Sequence, residues 1–285
     1  MIELSVGAVR ITAITESTSV LPHDVLLPTS TLEELNALTW LDERYVSADG
    51  TLTLTVQAFV IEADGLRIVV DTCNGNDKNR PTSFGHMLQT DFLERFEAAG
   101  FARDTIDHVL CTHLHVDHVG WNTRLDNGRW VPTFPVARYL IGREEYDYWS
   151  AVAPASTGDE AEIMADSIRP LFDHGQVDLV ETDHVLCPSV RLISTPGHTP
   201  GHVSVAIASE GQEALLTGDF VHTPVQIGRP DWGAFVDTDP AASEATRRTR
   251  FAELADRSAL LIGTHFPTPT AGYVERDGTA FRFRY

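Results

Sequence analysis

Basic residues are scarce in this chain. Only 21 lysines and arginines stand against 41 aspartates and glutamates, so the formal charge is −20 over 285 residues. A field of that sign repels phosphate backbones and anionic headgroups, which makes nucleic acid and membrane surfaces poor partners. A neutral or apolar small molecule suits it better. Cysteine is scarcer still: Cys73, Cys111 and Cys187 are odd in number and far apart. No disulfide framework follows, and a reducing compartment is expected. No apolar run reaches the ~18 residues of a membrane span. The stretch "MIELSVGAVRITAITE" lacks a basic segment followed by a long apolar core, so no secretory signal is expected and the cytoplasm is the expected location. Heptads and interface stripes are missing too, which leaves the oligomeric state open.

What is present reads as a soluble enzyme, with 42% apolar and 22% charged residues. "IELSV", "VRITAI", "TLTLTVQAFVIEA" and "LRIVVDT" are strand-like, and Asp64-Gly65 marks a hairpin between the last two. In "PTSTLEELNALTWL", Ser30 and Glu33 have capping-box spacing before a short helix. "MLQTDFLERFEAAG" places Leu88, Phe92, Leu93 and Phe96 on one helical face, and "GREEYDYWSAV" and "AEIMADSIRPLFDHG" read as further helices. Four strand-like runs follow, then a helix capped by Asp239-Pro240, a buried strand "ALLIGTH" and a hairpin at Asp277-Gly278. Strands then helices recur twice with no linker between. The expectation is an α/β chain of two similar halves forming one domain over residues 1–285, sheets inside and helices outside.

One stretch is hard to explain by packing. "CTHLHVDHVGWN" gathers His113, His115, Asp117 and His118 just after a strand. An aspartate among three imidazoles calls for a compensating positive charge, which a divalent cation supplies. His113 and His115 can point the same way from extended backbone, while Asp117 and His118 turn past it toward a neighbouring position. Three further candidates end predicted strands: His198 in "STPGHTPGHVS", Asp219 in "ALLTGDFVH" and His265 in "LLIGTHFP". Five histidines and two aspartates can build two metal sites bridged by a carboxylate. In "STPGHTPGHVS", Pro196 and Pro200 forbid a helix, so His198 and His202 cannot act as a helical pair; His198 is the expected ligand and His202 a packing residue.

The order H-x-H-x-D-H, lone His, lone Asp, final His across residues 113–265 resembles the metallo-β-lactamase superfamily, as does "LRIVVDT" ending at Asp71-Thr72. That resemblance implies an αββα sandwich with its site at one edge. It implies one metal on His113, His115 and His198, a second on Asp117, His118 and His265, and Asp219 between them. Histidine–aspartate ligation suits two zinc ions, and manganese, iron or cobalt also. Asp219 in that role sets the chain apart from dedicated β-lactamases. It fits the branch of N-acyl homoserine lactonases and methyl parathion hydrolase, as well as glyoxalase II-like thioesterases.

The expected activity is hydrolysis of a lactone or related carboxylic ester, quorum-quenching N-acyl homoserine lactones among them, by a hydroxide shared between the two ions. An organophosphate triesterase and a thioesterase are the alternatives, and a metal-holding binding scaffold is the non-enzyme one. Asp117 is expected to handle protons as well as metal. His222 stands where related lactonases carry a tyrosine, and it is the candidate to bond the substrate carbonyl. Trp40, Phe84 and Trp232, with His222, are the candidate substrate contacts, and Trp121 is expected to pack beneath the metal cluster.

Overall fold

The β-branched runs build two seven-stranded sheets in the computed structural model, which describes residues 2–285. The first has the order β1-β2-β3-β4-β5-β8-β9. It comprises β1 (Ile2–Val6), β2 (Val9–Pro22), β3 (Thr51–Ala63), β4 (Leu66–Val70), β5 (His108–Cys111), β8 (Arg138–Gly142) and β9 (Val177–Val180). Strands β1 to β4 are antiparallel, and β4, β5, β8 and β9 run parallel. A small hairpin of β6 (Thr123–Asp126) and β7 (Arg129–Pro132) stands apart. Its turn is Asn127-Gly128, both at positive φ, as a two-residue hairpin turn requires.

The second sheet follows chain order: β10 (Val185–Cys187), β11 (Val190–Ser194), β12 (Val203–Ser209), β13 (Gln212–Leu216), β14 (Leu260–Ile262), β15 (Ala271–Asp277) and β16 (Ala280–Arg284). Only its β13–β14 pair is parallel. Alternation along the strands sorts side chains between two cores. Phe59, Ile61, Ile68, Val70 and Leu110 meet Val190, Leu192, Val205, Ile207 and Leu216 between the sheets. Ala58, Val60, Val69 and Val109 turn outward, against Phe92, Phe96, Trp149 and Leu171. On the far side, helix Pro240–Arg257 packs Phe251 and Leu254 over Leu215 and Leu261. Strands covered on both faces are apolar at every position, which is why "VLC" and "LLI" carry no period-two signal. The αββα expectation, two facing sheets with helices on both outer sides, holds.

Three local expectations shift. The capping box sits one residue later: Thr31 accepts from the Glu34 backbone N–H and donates to the Glu34 carboxylate at 2.8 Å, over helix Leu32–Asn36. Ser30 instead donates to the Leu27 carbonyl at 2.6 Å and meets His23 Nδ1. The helix after Asp91 spans only Phe92–Ala98, so Leu88 lies before it. Residues 160–173 form a broken helix, Glu160–Ile163, a π-helical turn at Met164–Ile168, and Arg169–Asp173 after Pro170 removes a backbone donor.

Asp239 caps helix Pro240–Arg257, its Oδ1 accepting from Ala241 N at 3.1 Å and Ala242 N at 3.0 Å. Replacing it with alanine leaves both donors without that acceptor, and a loss of about 1 kcal/mol is expected in urea unfolding. A midpoint equal to wild type would show that water caps this helix as well as the carboxylate does.

Candidate metal centre

The parallel registry decides where the polar residues collect. Asp71 follows β4, the His113–His118 cluster follows β5, Asp219 follows β13 and His265 follows β14. β11 runs the same way as β13 through their common antiparallel neighbour, so His198 leaves at the same edge. Seven side chains named from the sequence therefore meet: His113, His115, Asp117, His118, His198, Asp219 and His265. Three groups of them bring their ligand atoms within 4.8 Å of one another: His113–His115–His198, His113–His118–Asp219, and Asp117–His118–His265. A fourth group adds His222 to His198 and Asp219.

His198 Nε2 lies 3.2 Å from His113 Nε2 and 2.9 Å from His115 Nδ1. Asp219 Oδ2 is 3.1 Å from His265 Nε2, 3.3 Å from His118 Nε2, 3.3 Å from His222 Nε2, 3.7 Å from His198 Nε2 and 3.9 Å from His113 Nε2. Asp117 stands 3.6 Å from His118 Nε2 and 3.5 Å from His265 Nε2.

The other ring nitrogens decide what these close approaches mean. His118 Nδ1 donates to Asp71 Oδ2 at 2.8 Å, and His265 Nδ1 donates to the Thr55 carbonyl at 3.0 Å. His198 Nδ1 donates to Asp237 Oδ1 at 3.1 Å. Thr112 Oγ1 gives its proton to Asp71 at 2.8 Å and accepts from His113 Nδ1 at 3.1 Å. Each tautomer follows from its network. With the rings neutral, as they must be to bind a cation, the inward Nε2 atoms of His113, His118, His198 and His265 offer lone pairs that face one another and two carboxylates. His118 Nε2 and Asp219 Oδ1 are buried without a hydrogen-bond partner. An acceptor-only interior is repulsive unless cations fill it, and its mixed nitrogen and oxygen donors fit divalent ions.

Electrostatics divide the cluster. Burial holds His113 and His198 well below the ordinary imidazole range, and His115 down at about 4, so these three stay neutral. Burial also opposes charge on His265, but the carboxylates of Asp219 and Asp117 override it and raise the group to about 9. His118 is raised for the same reason. Three imidazoles thus form a neutral half, and the half holding Asp117 and Asp219 draws positive charge.

His202 is placed differently. Its Nδ1 meets Thr195 Oγ1 at 2.8 Å, and its Nε2 accepts the Asp219 backbone N–H at 2.8 Å. It orients the aspartate from behind. Other supports carried no signal in the sequence beyond being polar. The Gln57 side-chain amide donates to the Thr264 carbonyl at 3.0 Å and to Thr270 at 3.0 Å, holding the His265 loop. Glu16 accepts from Asn74 N, Asn74 Nδ2 and Trp121 Nε1, which fixes the loop after Asp71 and seats Trp121 under the cluster. Arg247, fully buried, donates to Asp237 at 3.4 Å behind His198.

A cavity of about 710 Å³ opens over the cluster, and Asp117, His115, His198, Asp219, His222 and His265 line it. Its walls are apolar, with Val20, Leu54, Leu88, Ile163, Met164 and Phe235 among them. Among the described residues, no lysine or arginine lines it. Phe84 lies at this cavity with 87% of its surface exposed. Trp40 and Trp232 do not line it. Trp40 packs at Gly228, and Trp232 is core, stacked under Arg229 beside Leu26 and Val225. Trp232 is buried in the core and Trp40 is half-buried against it, as large aromatics often are.

The sequence profile of the metallo-beta-lactamase superfamily matches residues 52–265. N-acyl homoserine lactonase of Bacillus thuringiensis is 27% identical over 185 residues, 60% of this chain and 66% of that protein. The match thus spans just under two thirds of that relative's length. N-acyl homoserine lactonase AiiB of Agrobacterium fabrum is 25% identical over 221 residues, 67% of this chain and 76% of that protein. Two solved structures share the fold. AidC, described as a dizinc quorum-quenching lactonase in complex with a product, has a TM-score of 0.82 at 22% identity, covering 99% of this chain and 96% of that one. The hydrolase AbOPH has a TM-score of 0.81 at 24% identity, covering 99% and 95%.

Two substitutions four residues apart separate a ligand from its support. His198→Ala should lower bound metal by one ion per chain, measured by elemental analysis, whereas His202→Ala should keep both. Equal loss in the two would contradict this assignment. His202 also predicts a pH dependence. Burial holds its pKa down at about 3, while the unfolded chain takes that proton near 6.5. Unfolding therefore gains a proton, and this contribution to stability falls as pH drops from 6.5 toward 3. His202→Gln lacks it, so the stability gap between wild type and variant should narrow in acid by at most ~1.4 kcal/mol per pH unit. A gap that stays constant in urea unfolding from pH 7 to pH 5 would contradict it.

Proposed function

This chain belongs to the metallo-beta-lactamase superfamily, and on that premise we propose that it is a dinuclear-metal hydrolase that opens lactone rings or cleaves related carboxylic esters. N-acyl homoserine lactones are the substrates its curated relatives' names suggest. The observation that carries the reading is an acceptor-only cluster at the floor of an apolar cavity without a cationic side chain. Such a cavity suits a neutral ester with an apolar tail and disfavours anionic substrates.

In this reading His113, His115 and His198 would hold one ion, Asp117, His118 and His265 would hold the other, and Asp219, close to both groups, would complete the donor set. Two divalent cations bound there, zinc by donor type, would supply an acidified water and a Lewis acid for the carbonyl. The chain's own residues orient and move protons. Asp117 is open to the cavity, with 27% of its side chain exposed, and it takes the water proton and passes it on. His222 has both ring nitrogens buried and without a hydrogen-bond partner. Gln226 holds its backbone N–H at 2.7 Å, and its ring lies parallel to that of His265. It donates to the carbonyl oxygen as negative charge gathers there. The water oxygen bonds to the carbonyl carbon, the ring C–O bond breaks, and the leaving oxygen takes the proton relayed by Asp117. Phe84 and Phe235 cover the apolar tail.

A thioesterase for glutathione conjugates needs cations for the substrate carboxylates. The arginines of the C-terminal hairpin are paired elsewhere, Arg276 with Asp256 and Arg282 and Arg284 with Glu275, and none of them lines the cavity. A neutral phosphotriester fits the same cavity, so a substrate panel is the test. Prolonged chelation should abolish turnover, and zinc, manganese or cobalt should restore it. Acyl homoserine lactones and simple γ- and δ-lactones should be opened faster than aryl phosphotriesters or thioesters. Efficient turnover of triesters or thioesters with every lactone left intact would overturn the lactone reading.

A further inference from the structure

Glu145 lies in the first turn of helix Arg143–Val152, 1% exposed, and contacts none of the seven candidate ligands directly. Its carboxylate is nevertheless fully engaged. Oε1 accepts the Leu114 backbone N–H at 3.0 Å and Trp149 Nε1–H at 2.7 Å. Oε2 accepts the Thr199 hydroxyl at 2.7 Å and the Gly201 backbone N–H at 3.1 Å. Leu114 separates His113 from His115, and Thr199 follows His198. One buried carboxylate therefore spans both loops that deliver the three-imidazole group. Trp149 adds a third tie, because its ring stands edge-on to His115 with centroids 5.3 Å apart.

All four partners are donors, so the position calls for a group that only accepts. Glutamine would turn its NH2 toward one of those donors and leave that donor unpaired. The loop is also shaped to reach this carboxylate. A Cβ on Gly201 would fall 2.2 Å from the Glu145 backbone nitrogen, so only glycine lets the chain pass. The half built from Asp117, His118 and His265 is held by other groups: Asp71, the Thr55 carbonyl and Gln57.

We propose that Glu145 is the positioning residue of the three-imidazole half, setting the separation of His113 and His115 from His198 without touching metal or substrate. This rests on the reading that those histidines hold an ion. Its consequence is selective: loss of the carboxylate weakens one of two metal sites.

Wild type, Glu145→Gln and Thr199→Val, each loaded with zinc, would be titrated with a chromophoric chelator, which reads the ions as separate release steps. In Glu145→Gln one step should move to about 10–100-fold weaker binding, the range for groups that orient a metal ligand, while the other stays in place. Thr199→Val removes a single donor of nearly the same shape, so the same step should move in the same direction by less. In protein loaded with cobalt instead, the visible bands of one ion should shift and those of the other persist. Unchanged release in both variants, or equal weakening of both steps, overturns the proposal. If Glu145→Gln does not fold, Thr199→Val alone decides by the same criterion. A wild type that holds no zinc refutes the metal centre itself, a result distinct from a two-zinc wild type with indifferent variants.

Discussion

The centre depends on what stands behind each histidine. Asp71, Asp237, the Thr55 carbonyl and the Thr112 hydroxyl each take the outer ring proton. In the neutral rings, that arrangement leaves the inner nitrogens as lone pairs aimed at the centre. Pointing several buried lone pairs and two carboxylates at one another is unfavourable in a low-dielectric interior. The rest of the fold has to hold them there against mutual repulsion. Without a cation, the carboxylate-rich half draws protons onto His118 and His265, and the neutral half cannot, since burial keeps His113, His115 and His198 uncharged. The two halves thus answer the same deficit of positive charge in different ways.

Holding seven side chains on separate loops requires rigid supports, and those supports are buried polar groups rather than packing alone. Gln57 anchors the His265 loop, Glu16 the loop after Asp71, His202 the Asp219 turn, and Arg247 with Asp237 the back of His198. Gln57, Glu16 and His202 are bonded to loop backbone and side chains, and Arg247 engages its Nε and Nη1, the condition under which a buried polar group rigidifies instead of destabilising. Asp71 and Cys73 both adopt positive φ where the first loop leaves its strand, a conformation that persists because the surrounding bonds over-determine it. The doubled phrase "PGHTPGH" has the same logic. A Cβ on Gly197 would fall 2.2 Å from the Ser243 nitrogen at the start of helix Pro240–Arg257, and Gly201 passes as closely by Glu145. The repeat marks two close approaches, one to each helix, rather than two ligands.

Strands and candidate ligands were legible in the sequence because their signals are local. A period-two or continuous apolar run names a strand wherever its partner lies, and His113 to His118 announce themselves within six residues. What escaped was set by distance along the chain. Glu145 is one acid among 41, and its one local partner, Trp149, does not distinguish it, since the partners that carry the site loops lie 31 and 54 to 56 residues away. Trp40, Phe84 and Trp232 looked alike from the sequence, yet only Phe84 reaches the cavity, because pocket-lining depends on which segments the two sheets bring to one edge. The box at Thr31 rather than Ser30 is a one-residue ambiguity, which two adjacent hydroxyl residues before two adjacent glutamates could not resolve.

Chemistry and substrate choice are carried by different parts of the chain. The seven candidate ligands sit at strand ends, whereas the cavity walls come from the far end of β2, the loop around Phe84, the broken helix near Ile163 and the segment at Phe235. The Phe84 loop is tied to that helix at two places. Arg80 bonds Asp166 through two nitrogens at 2.8 and 2.6 Å, and Thr82 and Ser83 bond Asp159. A buried ion pair of this kind contributes geometry more reliably than net stability. Here the geometry holds an exposed aromatic at the mouth, facing Val20 and Phe235, which are also exposed. Single exposed apolar residues are ordinary, but three from separate segments around one opening make an apolar rim to the cavity. Because this wall contributes none of the seven ligands, it can change its contacts while the strand ends keep theirs, which is how one metal-binding frame can serve different esters.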